Sequence, residues 1–179
     1  MMKKTLPLIA ILLVFTCISR ISIADAVKNT EREAVVEALP KPYLDNDLYG
    51  YWYGVNNTPE VNVLILMSLA PNGDAVDSLL VQVGNDVEEV RQDSRWKFNS
   101  ESSVLTQDIT NITYKLNGKV KPKEFGEIEP VKVSVTLKKI GNDILMATIS
   151  DDGTLAIYKK ITAEMRDEIH RKAKENTQQ

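Results

Sequence analysis

From residue 61 to residue 158 the chain is cut into short pieces by turn-forming residues, and this rhythm limits the fold more than any other feature. Pro71-Asn72-Gly73-Asp74, Gly84-Asn85-Asp86, Asn99-Ser100-Glu101, Asn117-Gly118, Gly141-Asn142-Asp143 and Asp151-Asp152-Gly153 all suit tight hairpins. Asn, Asp and Gly tolerate the backbone conformations that such turns require. Between them, apolar residues fall on alternate positions. Val61, Val63, Ile65, Met67 and Leu69 share one parity, as do Leu79, Val81 and Val83. Val131, Val133, Val135 and Leu137 alternate with Lys132, Ser134, Thr136 and Lys138. Trp96 and Phe98 alternate with Arg95, Lys97 and Asn99, and Ile112, Tyr114 and Leu116 with Asn111, Thr113 and Lys115. A period of two is the signature of a strand with one buried face.

About eight strands follow from this pattern, with segments 144–149 and 155–158 completing the set. Tight turns without helical crossovers demand antiparallel pairing, because parallel strands need long returns. The expected fold is all-β, an up-and-down antiparallel barrel, since closure removes exposed strand edges. An open β-sandwich is the alternative. The one long irregular connection, Gly118 to Pro130, contains Pro122, Gly126 and Pro130, which exclude a continuous strand.

The chain changes character at both ends. Met1-Met2-Lys3-Lys4 followed by the apolar run Leu6–Ile18 and by Ala24-Asp25-Ala26 reads as an export signal of bacterial style over residues 1–26. Its apolar core is shorter than the ~20 residues that span a bilayer. The only cysteine, Cys17, stands where a lipoprotein carries its lipidated residue, although Phe15 and Thr16 depart from the small residues such sites prefer. Membrane attachment is expected only if Cys17 is lipidated; otherwise the protein is periplasmic or secreted. Residues 27–46 read as a linker or N-terminal arm, ended by Pro40-Lys41-Pro42 and the turn formers Asp45-Asn46-Asp47. Residues 47–179 then form one domain. At the far end the period changes to helical: Thr162 can cap a helix, and Met165, Ile169 and Ala173 would line one face.

Gly50-Tyr51-Trp52-Tyr53 stands at the head of the first strand. A glycine and a tryptophan so placed, with the strand count and the trailing helix, resemble the lipocalin superfamily in its bacterial lipocalin-like form. The resemblance spans roughly residues 48–176. It implies that Gly50 and Trp52 are structural, with the tryptophan plugging the closed end of the barrel beneath a basic side chain, here Lys159, Lys160 or Arg166. The family's second signature, a Thr-Asp-Tyr-type turn between later strands, has no counterpart in this sequence.

Little in the chain points to catalysis. His170 is the only histidine, and the sole cysteine lies in the export segment, so zinc ligation lacks its ligands. A Ser-His-Asp triad would have to recruit that same terminal histidine. Asp151-Asp152 and Asn142-Asp143 are explained by the turns they occupy. No glycine-rich phosphate loop is present. With a formal net charge of -3 the chain carries no basic field for nucleic acid. The expectation is therefore a non-enzyme without cofactor or metal.

Two binding readings remain. In the first the barrel carries a small apolar ligand, with Met67, Trp96 and Tyr114 pointing inward to receive it. In the second the core is solid and the protein binds an envelope protein as an inhibitor, immunity or assembly factor. Tyr49, Tyr51 and Tyr53 would form the partner surface there, since tyrosine is favoured in contact surfaces.

Overall fold

The computed structural model describes residues 36–57, 62–83, 86–122 and 128–176. The expected export segment and Cys17 lie outside the described residues, as do Gly84-Asn85 and Gly126. In chain order the elements are β1 (Val36–Ala38), α1 (Asp45–Leu48), β2 (Gly50–Asn57), β3 (Asn62–Leu69), β4 (Asp74–Val83) and β5 (Asp86–Asn99). There follow β6 (Val104–Leu116), β7 (Lys119–Val120), β8 (Val131–Ile140), β9 (Asp143–Ser150), β10 (Leu155–Ile161) and α2 (Ala163–Asn176).

Eight of these strands close an antiparallel barrel in the order β2-β3-β4-β5-β6-β8-β9-β10, with β10 pairing back onto β2. The expected barrel is thus formed, and the open sandwich is not. Consecutive strands pair along their length, as one-sided alternation and short turns require. The weakest seam joins β6 to β8, where only Val104–Gln107 meet Ser134–Val131. Beyond that point the same edge of β8 is taken by β1, whose Val36, Glu37 and Ala38 pair with Ile140, Lys139 and Lys138. Leu39 N–H extends the match by donating to Leu137 O at 3.2 Å.

Register assigns the faces without ambiguity. Trp52 stands opposite Met67, Met67 opposite Asp77, and Asp77 opposite Gln92. Because paired residues share a face, the inner surface carries Trp52, Ile65, Met67, Leu69, Ala75, Asp77, Leu79 and Val81. It continues with Val90, Ser94, Trp96, Leu105, Gln107, Val135, Leu137, Met146, Thr148, Ala156 and Tyr158. A register shift between Asp93 and Ser94 marks a bulge in the long β5–β6 pair, and it keeps Ile112 and Tyr114 on the same face as Ile109.

Of the expected linker or N-terminal arm, the described residues 36–46 dock on the barrel, and the fold extends back at least to Val36. Tyr43 is 2% exposed and joins the closed-end core with Leu48, Trp52, Leu69 and Leu137. The physical reason is the short β6–β8 seam, which leaves amides on β8 and an apolar barrel end to be covered. The turn expected at Asp45-Asn46-Asp47 becomes one turn of helix, held by Leu44 N–H donating to Asp47 Oδ2 at 2.8 Å.

The C-terminal helix forms as expected, with Met165 N–H donating to Thr162 Oγ1 at 3.3 Å. Its inner face differs from the predicted stripe. Met165 is 47% exposed, and Ala163, Arg166, Ile169 and His170 are the partly buried positions; the side chain of Ala173 lies outside the described residues. Arg166 places its guanidinium 4.2 Å from the centre of the Tyr51 ring on β2, a cation–π contact that lets a polar helix dock without an apolar stripe.

If the arm is integral, Tyr43→Ala should cost roughly 3–5 kcal/mol, as for large core aromatics. Urea denaturation followed by tryptophan fluorescence measures this; a loosely docked arm would show a change within about 0.5 kcal/mol.

Candidate functional site

The barrel interior falls into two halves of different character. One end is sealed. Trp52, Leu48 and Leu137 are fully or almost fully buried there, and Leu69, Leu105 and Met146 pack with them. Trp52 Nε1–H donates to Leu48 O at 2.8 Å in a buried bond, so α1 is tied to the first barrel strand by its own plug. Lys160, on the neighbouring β10, crosses the Trp52 ring with Nζ at 5.2 Å from its centroid and donates to Asp47 O at 3.0 Å. Of the basic residues considered for that place, Lys160 occupies it. Burial lowers the affinity of its ammonium for the proton, and Asp47 partly offsets this. Gly50 is needed at the junction because its φ of +122° is strained for any side chain, and a Cβ would lie 3.3 Å from Lys160 Cε.

The other end is less tightly filled among the described residues. The inward-facing Ile65, Leu79, Val81, Ile112, Tyr114 and Leu116 keep part of their surface accessible, whereas Val63 and Val90 beside them are buried. Glu88 shares this rim, and burial together with the Glu88 and Asp86 carboxylates pushes the Tyr114 phenol up.

Between the halves lies a belt of polar side chains. Asp77 on β4 accepts a hydrogen bond at Oδ2 from Gln107 Nε2 at 2.9 Å. Its other oxygen, Oδ1, is buried without a hydrogen-bond partner among the described residues, and so is Ser94 Oγ on β5. Buried polar atoms of this kind are few in native proteins and call for an explanation. Across the lumen the Tyr158 phenol bonds to Thr148; burial first, then the Asp77 charge, raise its pKa. The Tyr158 ring lies flat against β2 at Gly54, where a Cβ would meet Tyr158 Cδ1 and Ile157 O at 3.1 Å. Asp77 is deep among protein atoms yet part of its residue surface is accessible. Burial pushes its carboxyl up to about 7, opposed by the Gln107 hydrogen bond.

The residues singled out from sequence separate into these regions. Met67 and Trp96, each 6% exposed, belong to the packed closed-end core, and Trp96 Nε1–H donates to Ala70 O at 2.9 Å. They do not line the open half. Tyr114 does. The expected row of Tyr49, Tyr51 and Tyr53 is broken up: Tyr49 packs edge-on to Trp96 with ring centroids 5.6 Å apart. Tyr51 lies under Arg166 of α2. Tyr53 alone faces outward at mid-strand, partly buried opposite Leu66. The cause is that Tyr49 precedes the strand, where α1 turns it toward the barrel end.

Asp77, Ser94, Gln107, Thr148 and Tyr158 escaped sequence reasoning. A signal existed for the first: Asp77 sits in phase with Ala75, Leu79 and Val81, a charged residue at an inward position of an otherwise apolar series. Gln107 likewise falls in phase with Leu105 and Ile109. No known protein family and no curated protein matches the chain.

The pH dependence follows from Asp77. Its carboxyl ionises near its ordinary 3.8 in the unfolded chain and near 7 in the fold. Between these values the folded state holds a proton that the unfolded state has released, so stability falls as pH rises through this window and levels off above it. The gap corresponds to roughly 4 kcal/mol, less what water in the lumen screens. Asp77→Asn should therefore gain roughly 2–4 kcal/mol on wild type between pH 5 and pH 8. Paired urea titrations at the two pH values read this; parallel wild-type and variant curves would contradict it.

Trp52→Phe removes the indole donor together with part of a fully buried ring, so Leu48 O loses its partner and a small cavity opens; it should cost roughly 2–4 kcal/mol. The loss appears as a lower urea midpoint.

Proposed function

We propose that the protein is a lipocalin-like binding protein, exported to the periplasm or beyond, that holds a small, largely apolar molecule in the open half of its barrel. The observation carrying this reading is the asymmetry of the interior. Inward apolar side chains at one end are sealed beneath Trp52, whereas at the other Ile65, Leu79, Val81, Ile112 and Tyr114 keep part of their surface accessible around the buried Val63 and Val90. Eight-stranded barrels are just wide enough either to fill with side chains or to hold one small ligand. Beyond Met67 the inner face is lined by the partly accessible Ile65, Leu79, Val81, Ile112 and Tyr114, with Val63 and Val90 buried among them. That is the composition of a ligand pocket, apolar with a few placed polar groups. Export rests on the amino-terminal segment, and no enzymatic activity is assigned.

A second reading is favoured by a separate observation. On the outer wall, Val55, Ile149 and Ile157 are 43%, 48% and 39% exposed on the adjacent strands β2, β9 and β10. Such a cluster suits contact with an envelope protein.

Native mass spectrometry of the purified protein discriminates between the two. A co-purifying mass of a few hundred daltons, lost in Leu79→Arg, is expected for the binding protein. Failure of a panel of apolar fluorophores to bind would sink it, and loss of partner capture in Ile157→Asp would support the second reading.

A further inference from the structure

The polar belt specifies what kind of head group the lumen accepts. Asp77 stands opposite Gln92 and Ala75 opposite Ser94, so Asp77 and Ser94 are diagonal neighbours on the inner face, roughly 7–8 Å apart at Cα. Both present an oxygen without a hydrogen-bond partner among the described residues. Two acceptors on one face within reach of one group define a site for a donor. Once ionised, above about pH 7, a carboxylate that deep is costly without a counter-charge. Around Asp77 the inner face offers Gln107, Gln92, Ser94, Thr148, Tyr158 and Met67, none of them cationic. Lys160, the inward lysine of the neighbouring closed end, is engaged with Trp52 and Asp47 O. The rim carries both signs, Glu88 beside Tyr114 and Lys121, whose backbone N–H donates to Tyr114 O at 3.1 Å.

We propose that Asp77 Oδ1 and Ser94 Oγ form the polar anchor of the lumen and receive the ammonium of a long-chain primary amine, whose hydrocarbon tail lies along Leu79, Val81, Ile112 and Tyr114 toward the open end. The inference rests on the proposed function and adds the ligand's chemistry to it. Gln107 holds Asp77 by Oδ2, which leaves Oδ1 for a donor that enters beside it. The ammonium supplies three donors, enough for the carboxylate and the serine together. At pH 8, where Asp77 is ionised, a fatty carboxylate would place a second negative charge beside the first and bind less well.

Dodecylamine, dodecyltrimethylammonium, dodecanol and dodecanoate share one tail and differ only in the head. Each is titrated into the full chain by calorimetry and tryptophan fluorescence at pH 8, below micelle formation. Dodecylamine should bind at least tenfold tighter than the other three, as a charge-assisted hydrogen bond requires. Asp77→Asn should bring its preference over dodecanol below threefold without weakening dodecanol itself. Should that variant not fold by circular dichroism, the amine-to-trimethylammonium ratio in wild type decides alone, because only the primary amine carries the donors. Equal binding of amine and carboxylate, or an undiminished preference in folded Asp77→Asn, overturns the anchor while leaving the binding protein standing. Binding of none of the four overturns both.

Discussion

The hydrogen bond from Trp52 Nε1 to Leu48 O, buried at 2.8 Å, is the contact on which the closed end depends. An indole in an apolar site must find an acceptor, and the one it finds is a carbonyl of α1, the turn of helix just before its own strand. That choice pulls α1 across the barrel mouth and brings Tyr43 and Leu48 into the core. It also leaves the upper ring face for Lys160, whose ammonium is satisfied by Asp47 O of the same turn. One side chain thus ties together the arm, the first strand and the last. Closing the barrel at β10–β2 happens in the register that sets Lys160 opposite Trp52.

Sealing one end has a consequence for the other. A barrel of eight strands with a tapering fill of Trp52, Met67, Leu105, Leu137 and Met146 has used its largest inward side chains in the lower half. What remains above Asp77 is mostly aliphatic, with Tyr114, and apart from Val63 and Val90 it is partly accessible. The belt of Asp77, Ser94, Gln107, Thr148 and Tyr158 lies where the two regimes meet, and its groups are only partly satisfied by one another. Polar groups retained at such a depth weigh against the stability of the fold, which is why they are informative about what the lumen holds.

Much of the architecture was legible because it rests on local rules. Val131 to Leu137 alternates in the chain and alternates in the barrel, and Asn117-Gly118 turns where its residues permit. Gly50 and Trp52 lie at the sealed end, in the structural places that the resemblance of their motif implied. How the arm docks was not legible because it depends on a partner distant in sequence: Val36–Ala38 has no strong strand signal and pairs where β6 leaves part of β8 open. The helix face was misread for a similar reason. Its docking runs through Arg166 on Tyr51 rather than through an apolar stripe, and a cation–π contact leaves no periodic trace.

By itself the sequence determined the all-β class, the strand count, the antiparallel order and the side of each strand that faces inward, since these follow from a two-residue period and from short turns. Only the tertiary structure decided which inward residues are packed and which stay open. It alone set Lys160 over Trp52, broke up the tyrosine row and brought Asp77, Gln107 and Tyr158 to one depth of the lumen. The physical reason is that alternation is a property of each strand, whereas depth along the barrel depends on the stagger between strands, which forms only when the sheet closes.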